Sequence, residues 1–435
     1  MLRRSERLLG ALISVQLALG ATAAVVVSGE QSDLRRGVVT RADVTRAADV
    51  QRAAAVRALL ARRSRAVLTR DRVAFLADLD PTQRVFVARQ RQVFEHLAPI
   101  RLASWSYQLD PERYRASTPA LDAKRGTWWS PDLVLHYAIR GYDQVPTEEP
   151  QGLTFVQRAG RWYLAADDDF PDHPTQRDLW DQGAVVSISG RYCLVLSHPG
   201  GAGLARTVLP DCDAAVPKVS AVWGTGWEQR VVLVVPDTSK ELQLLVPDSG
   251  EVSNIAAVAT ASLVDAAEGY HPVGDRVVLN PRIFRDELGE LGRSVVLTHE
   301  VTHVASRGSS GRYQPTWFVE GLADYVAFLH AHVPLRVAAQ ELRKALRAGN
   351  APTELPIDGD FAGGRDDLAA TYEQSWLAVR LLAQTYGQAT MLRLFRDIGA
   401  GDSAAAVDLA FAQDLHTSVT AFTAAWRASL LRQLR

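Results

Sequence analysis

Residues 299–303 read His-Glu-Val-Thr-His, and a second stretch with two carboxylates, WFVEGLADY, follows at 317–325. This pairing constrains the fold more than any other feature of the chain. On an α-helix, residues four apart lie about 40° around the axis and about 6 Å along it, so His299 and His303 project from one face. Val296, Leu297, Val301 and Val304 make that helix apolar enough to be buried. The second stretch predicts another helix, opened by Pro315-Thr316, with Glu320 and Asp324 one turn apart among Trp317, Phe318, Leu322 and Tyr325. Two carboxylates in such apolar surroundings require a partner or a metal. The fold is therefore expected to bring the two helices together.

The chemistry of that meeting is specific. Zinc binds neutral imidazole nitrogens and carboxylate oxygens, and a catalytic zinc keeps three protein ligands and one open position. His299, His303 and Glu320 are the candidate ligands of a single zinc ion. Glu300, beside His299, is placed to reach a water as a general base without itself ligating. Asp324 is placed to accept the other ring N–H of a ligating histidine. The remaining histidines stand apart from this pattern.

At 435 residues the chain exceeds one typical core, so two or three domains are expected. The formal net charge of −1 gives no electrostatic footing for nucleic acid. The start is different: Arg3, Arg4 and Arg7 precede an apolar run from Leu8 to Val27. Twenty residues at about 1.5 Å each span the hydrocarbon core of a bilayer. Positive charge ahead of the run predicts a single-pass anchor over 1–30 with the main body outside the cytoplasm. A cleaved signal peptide, with Ala21-Thr22-Ala23 as the cleavage site, would make the protein secreted instead.

Residues 31–45 are polar and read as a linker. From 46 to 170 two amphipathic helical patterns precede strand-like runs, predicting an α+β domain with an antiparallel meander. From 171 to 435 β-rich segments lead into a helical region opened by the His-Glu-Val-Thr-His helix. The fold class is thus α+β: anchor, cone-like α+β domain, then a mixed sheet followed by helices. Cys193 and Cys212 are the two cysteines, read as lying on two strands joined by a Gly-rich turn. Export favours a disulfide between them, with two buried free thiols as the alternative.

His299-Glu300-x-x-His303 followed by WFVEGLADY resembles the gluzincin zinc metallopeptidases, in particular the peptidase MA-like group related to the M1 aminopeptidases and thermolysin. The resemblance implies His299, His303 and Glu320 as zinc ligands, Glu300 as general base and Asp324 as the partner of a ligand. TYEQSWLAVRLLAQTYG is similar to the family segment bearing a tyrosine near the oxyanion, which implies that role for Tyr372. It also implies a peptide-pairing edge strand, assigned to DRVVLNPRIF. The metzincin pattern would need Gly at Ser306 and His at Ser309. The Gly-x-Met-Glu-Asn segment by which M1 aminopeptidases hold a free amine is missing, so an endopeptidase acting on a peptide or protein substrate is expected rather than an aminopeptidase. More weakly, 46–170 resembles the nuclear transport factor 2-like superfamily in its order of elements and its QRAGRWYLA hairpin. The alternative function is a non-catalytic, membrane-anchored binding or scaffold protein that keeps a peptidase-like fold.

Overall fold

Helical periodicity dominates the chain from residue 46, and in a computed structural model helices come first there. The structure describes residues 46–246, 255–266, 269–362 and 365–434. The segment expected to form the anchor, 1–30, and the linker, 31–45, lie outside the described residues. Among the described residues no helix is long and apolar enough to cross a membrane.

Helices α1 (Arg46–Thr69), α2 (Arg72–Ala77) and α3 (Arg84–His96) bury Val56, Leu59, Phe75, Phe86 and Val93. The Asp71 side chain caps α2 by accepting the Ala74 N–H at 2.9 Å. Strand β1 (Leu102–Tyr114), helix α4 (Pro119–Arg125) and strands β2 (Trp128–Trp129), β3 (Pro131–Ile139), β4 (Thr147–Pro150), β5 (Thr154–Arg158) and β6 (Arg161–Ala166) follow. Every pairing among them is antiparallel. They form two three-stranded sheets, β1-β3-β4 and β2-β5-β6, instead of the single meander expected. Helix α4, capped by Thr118 and opened by Pro119, takes the chain away between β1 and β2, so these two consecutive strands fall in different sheets. The β5–β6 turn places Ala159 at φ 48° and Gly160 at φ 79°, the left-handed pair that matches strand twist in a two-residue hairpin.

After the short helix α5 (Leu179–Gln182), strands β7 (Val186–Ser189) and β8 (Cys193–Ser197) form a hairpin. Helix α6 (Ala202–Trp223) leads to β9 (Val231–Val235), and α7 (Ser239–Leu245) lies between β9 and the strands β10 (Ala257–Ala266) and β11 (Gly269–Leu279). The five strands lie in the order β10-β11-β9-β8-β7, with β8, β9 and β11 parallel. Three readings are corrected here. Cys212 lies in helix α6, not in the second strand of a hairpin, and a disulfide joins it to Cys193 on β8. Pro210 and Pro217 made this segment look non-helical, because each removes an N–H and restricts the residue before it. LQLL at 242–245, one of the β-rich segments expected after residue 171, is helical in α7, where Thr238 caps by accepting the Glu241 N–H. The edge strand is β10; DRVVLNPRIF supplies β11, which is flanked on both sides.

Side chains alternate across this sheet. Cys193, Val195, Leu233, Val235, Val277 and Leu279 join one core with α6 and the helices beyond. Leu194, Leu196, Val232, Val234, Val258 and Val278 join another with Phe94, Trp105, Tyr137 and Trp180 from the first half of the chain. The front face carries α8 (Pro281–Asp286), α9 (Glu290–Ser306), α10 (Thr316–Leu329), α11 (Leu335–Ala338), α12 (Gln340–Arg347), α13 (Leu368–Tyr386), α14 (Gln388–Gly399), α15 (Ala406–Leu415) and α16 (Val419–Leu434). Helices α10 and α13 touch through Gly321, where an added Cβ would lie 2.4 Å from the Ser375 carbonyl oxygen.

Candidate metal centre

Helix α9 is buried along nearly its whole length because it lies between the sheet, α6 and α10. It places His299, Glu300 and His303 in this interior, each at most 2% exposed. Helix α10 contributes Glu320 and Asp324 from the facing side, both fully buried. His299 Nε2 and His303 Nε2 stand 2.9 Å apart, and Glu320 Oε2 lies 3.3 Å from the first and 3.4 Å from the second. Among the described residues this is the one group of three such side chains able to share an ion.

The Asp324 carboxylate explains why His299 presents Nε2. Asp324 Oδ1 lies 2.8 Å from His299 Nδ1, so that nitrogen carries a proton and donates it, and Nε2 is the ring nitrogen that faces Glu320 and His303. Burial lowers the His299 pKa, but Asp324 and then Glu320 outweigh it and hold it well above the ordinary value. His303 goes the other way: burial lowers it more than Glu320 raises it. Burial pushes the Glu320 carboxyl up, yet His303 and His299 beside it draw it far below the usual carboxylate range. An ionised carboxylate and two imidazole nitrogens therefore converge on one point, where the raised His299 pKa marks a site that favours positive charge. A metal cation at that point would take the place of the His299 Nε2 proton and meet all three donors at once.

Zinc fits this donor set. Nitrogen and oxygen donors about 2.0–2.1 Å from a tetrahedral zinc ion stand about 3.3–3.4 Å apart. Both edges from Glu320 to the histidines match, and the shorter His–His edge needs to open by only a few tenths of an ångström. The three donors also leave a fourth position for a reactant.

Glu300 does not join the donor triangle. Its carboxylate accepts a hydrogen bond from the backbone N–H of Ala259 on the edge strand β10, and burial pushes its pKa up to about 7 against the pull of His299. Tyr372, on α13, is fully buried with its ring edge-on to Phe361, centroids 5.4 Å apart. Among the described residues its hydroxyl has no hydrogen-bond partner. Burial, and after it the charges of Glu320, Asp324 and Glu300, raise its pKa well above that of a free phenol, so it stays a donor. The Cys193–Cys212 bridge ties β8 to α6 and supplies nothing to this centre.

Two neighbours of the centre were not foreseen. Glu373, next to Tyr372, is fully buried and accepts the backbone N–H groups of Glu341, at 3.1 Å, and Leu342, which caps α12. Arg307, two turns beyond Glu300, reaches β10. The only sequence signal for Arg307 was its spacing of seven from Glu300, which places both on one face of the helix.

No protein-family model matches the chain, and no curated protein matches it. Solved structures do. An M1 zinc metallopeptidase from Deinococcus radiodurans is 14% identical over 63% of this chain, with a TM-score of 0.30, and this chain spans 58% of its length. A two-domain M1 zinc metallopeptidase variant bound to L-arginine is 13% identical over 75% of this chain and 84% of its own, with a TM-score of 0.33. Likeness at this level assigns neither family nor activity to the chain.

Proposed function

We propose that the chain is a zinc-dependent peptidase. The observation that carries this reading is the convergence of His299 Nε2, His303 Nε2 and Glu320 Oε2 in a buried triangle, beside a carboxylate, Glu300, that stays outside it. His299, His303 and Glu320 would hold the ion. Zinc supplies Lewis acidity in such a site, polarising a carbonyl and lowering the pKa of water from 15.7 toward about 7.

The chain's own residues do the rest. Glu300 takes a proton from the attacking water and passes it to the nitrogen of the leaving amine, so the peptide bond becomes an acid and an amine with every proton accounted for. Tyr372 donates its hydroxyl hydrogen to the oxyanion that forms at the scissile carbonyl. Asp324 keeps His299 in the tautomer that ligates. The missing Gly-x-Met-Glu-Asn segment supports internal cleavage over removal of N-terminal residues. The Arg-flanked apolar run at 8–27 supports a tethered body working outside the cytoplasm.

The test is elemental analysis for zinc in the purified full chain, beside a peptide-library digest by parent and Glu300→Gln. One equivalent of zinc in both, with cleavage slower by roughly 10²–10⁴ in the variant, is expected. Zinc in both and cleavage in neither would favour the scaffold reading; absence of zinc would refute the centre.

A further inference from the structure

We infer that Arg307 is a positioning residue for the general base, acting through the edge strand; this rests on the peptidase reading above. Alternate residues of an antiparallel edge strand turn their N–H and C=O to the open side. Ala259 of β10 is one of these: its N–H goes to the Glu300 carboxylate, and its C=O accepts from Arg307 Nη2 at 2.8 Å. Both contacts come from one helix face, since Glu300 and Arg307 are seven residues apart. The end of the motif helix therefore grips one residue of the strand by both of its backbone polar groups.

Arg307 is itself anchored. Its Nη1 lies 3.1 Å from Asp275 Oδ1 on β11, the strand paired with β10, and its side chain is 10% exposed. The guanidinium thus spans from β11 across to the open edge of β10 and back to the helix that bears Glu300. Ala259 pairs with Val277, two residues from Asp275, so the anchor and the gripped residue belong to adjacent steps of the same ladder. Without Arg307 the open side of Ala259 is held only by Glu300, and the donor that sets the carboxylate's rotamer is less firmly fixed. A general base misplaced by about 1 Å can cost on the order of 10²-fold in rate.

The experiment uses the full chain as parent, Arg307→Ala, Arg307→Lys, Asp275→Asn and Glu300→Gln. Two readouts are taken: amide hydrogen exchange on peptic fragments covering 256–262 in metal-stripped protein, and steady-state hydrolysis with zinc. Arg307→Ala is expected to exchange at Ala259 about tenfold faster, and to lose roughly 10- to 100-fold in kcat with KM within about threefold. Arg307→Lys should recover part of both, and Asp275→Asn should show a smaller loss of the same kind. Parent-like exchange and kcat in Arg307→Ala overturn the inference, as does faster exchange with unchanged kcat. Hydrolysis that depends on Glu300 but not on Arg307 refutes this inference alone. A parent without Glu300-dependent hydrolysis refutes the peptidase reading and the role given to Arg307, while the exchange data still report whether the grip exists.

Discussion

Gly321 follows the candidate ligand Glu320 and is the point where α10 meets α13, so Gly321→Ala tests whether that contact is as close as described. An added Cβ would meet Ser375 O at 2.4 Å, Ser375 C at 2.7 Å and Val379 Cγ2 at 2.7 Å, where ordinary contact begins at 3.4 Å. Two effects oppose each other. Alanine is the better helix former by about 0.5–1 kcal/mol. Overpacking a well-filled interface costs about 1–3 kcal/mol. Two of the three clashing atoms are backbone and cannot rotate aside, so the helices must part by about 1 Å and the second effect wins. The net loss is on the order of 1–2 kcal/mol. With m near about 3 kcal/mol/M, the urea midpoint should fall by roughly 0.3–0.7 M. Zinc affinity should fall with it, because Glu320 moves with the backbone. A midpoint equal to or above the parent's would show that propensity had won and that the helices are not in contact there.

Asp324→Asn should weaken zinc binding roughly 10- to 100-fold, read by competition with a chelating dye, because the His299 tautomer is no longer fixed; affinity equal to the parent's would remove Asp324 from the centre. Tyr372→Phe should leave zinc content intact and lower kcat by roughly 10²-fold or more, the cost of an oxyanion donor; full activity would return Tyr372 to a packing role. Burial raises the Glu373 carboxyl from 4.5 to about 8 despite the two N–H groups it accepts. A raised folded-state pKa means that its contribution to stability is complete below about pH 4.5 and is lost as pH rises through about 8. At about 1.4 kcal/mol per pKa unit this is on the order of 4–5 kcal/mol. Urea melts at pH 5 and pH 8 should show Glu373→Gln with a clearly flatter dependence, and identical slopes would contradict the assignment.

The centre was legible where spacing and chemistry agree. The i, i+4 histidines and the i, i+4 pair Glu320 and Asp324 each define a helix face, and buried charge forces two such faces together. The sheet was less legible. Pro210 and Pro217 hid α6, although Ala205, Val208, Cys212, Val216 and Val219 repeat at helical spacing along its buried side. The edge strand was misplaced because β10 and β11 are both β-rich, and no local signal says which one lacks an outer neighbour. Arg307 and Glu373 act on backbone groups of distant segments. Such contacts leave no trace in composition or periodicity, because a main-chain acceptor or donor looks the same in every residue.

The back of the five-stranded sheet shares its core with Phe94, Trp105 and Tyr137 from before residue 170. The half of the chain that carries the metal centre is consequently not a portable cassette. A cut near residue 170 would take Phe94, Trp105 and Tyr137 off Leu194, Leu196, Val232, Val234, Val258 and Val278 and open part of an apolar sheet face to water, the kind of surface that drives self-association. Transplanting the centre to another scaffold, or expressing it alone, therefore requires a replacement covering for that face before any question of catalysis arises.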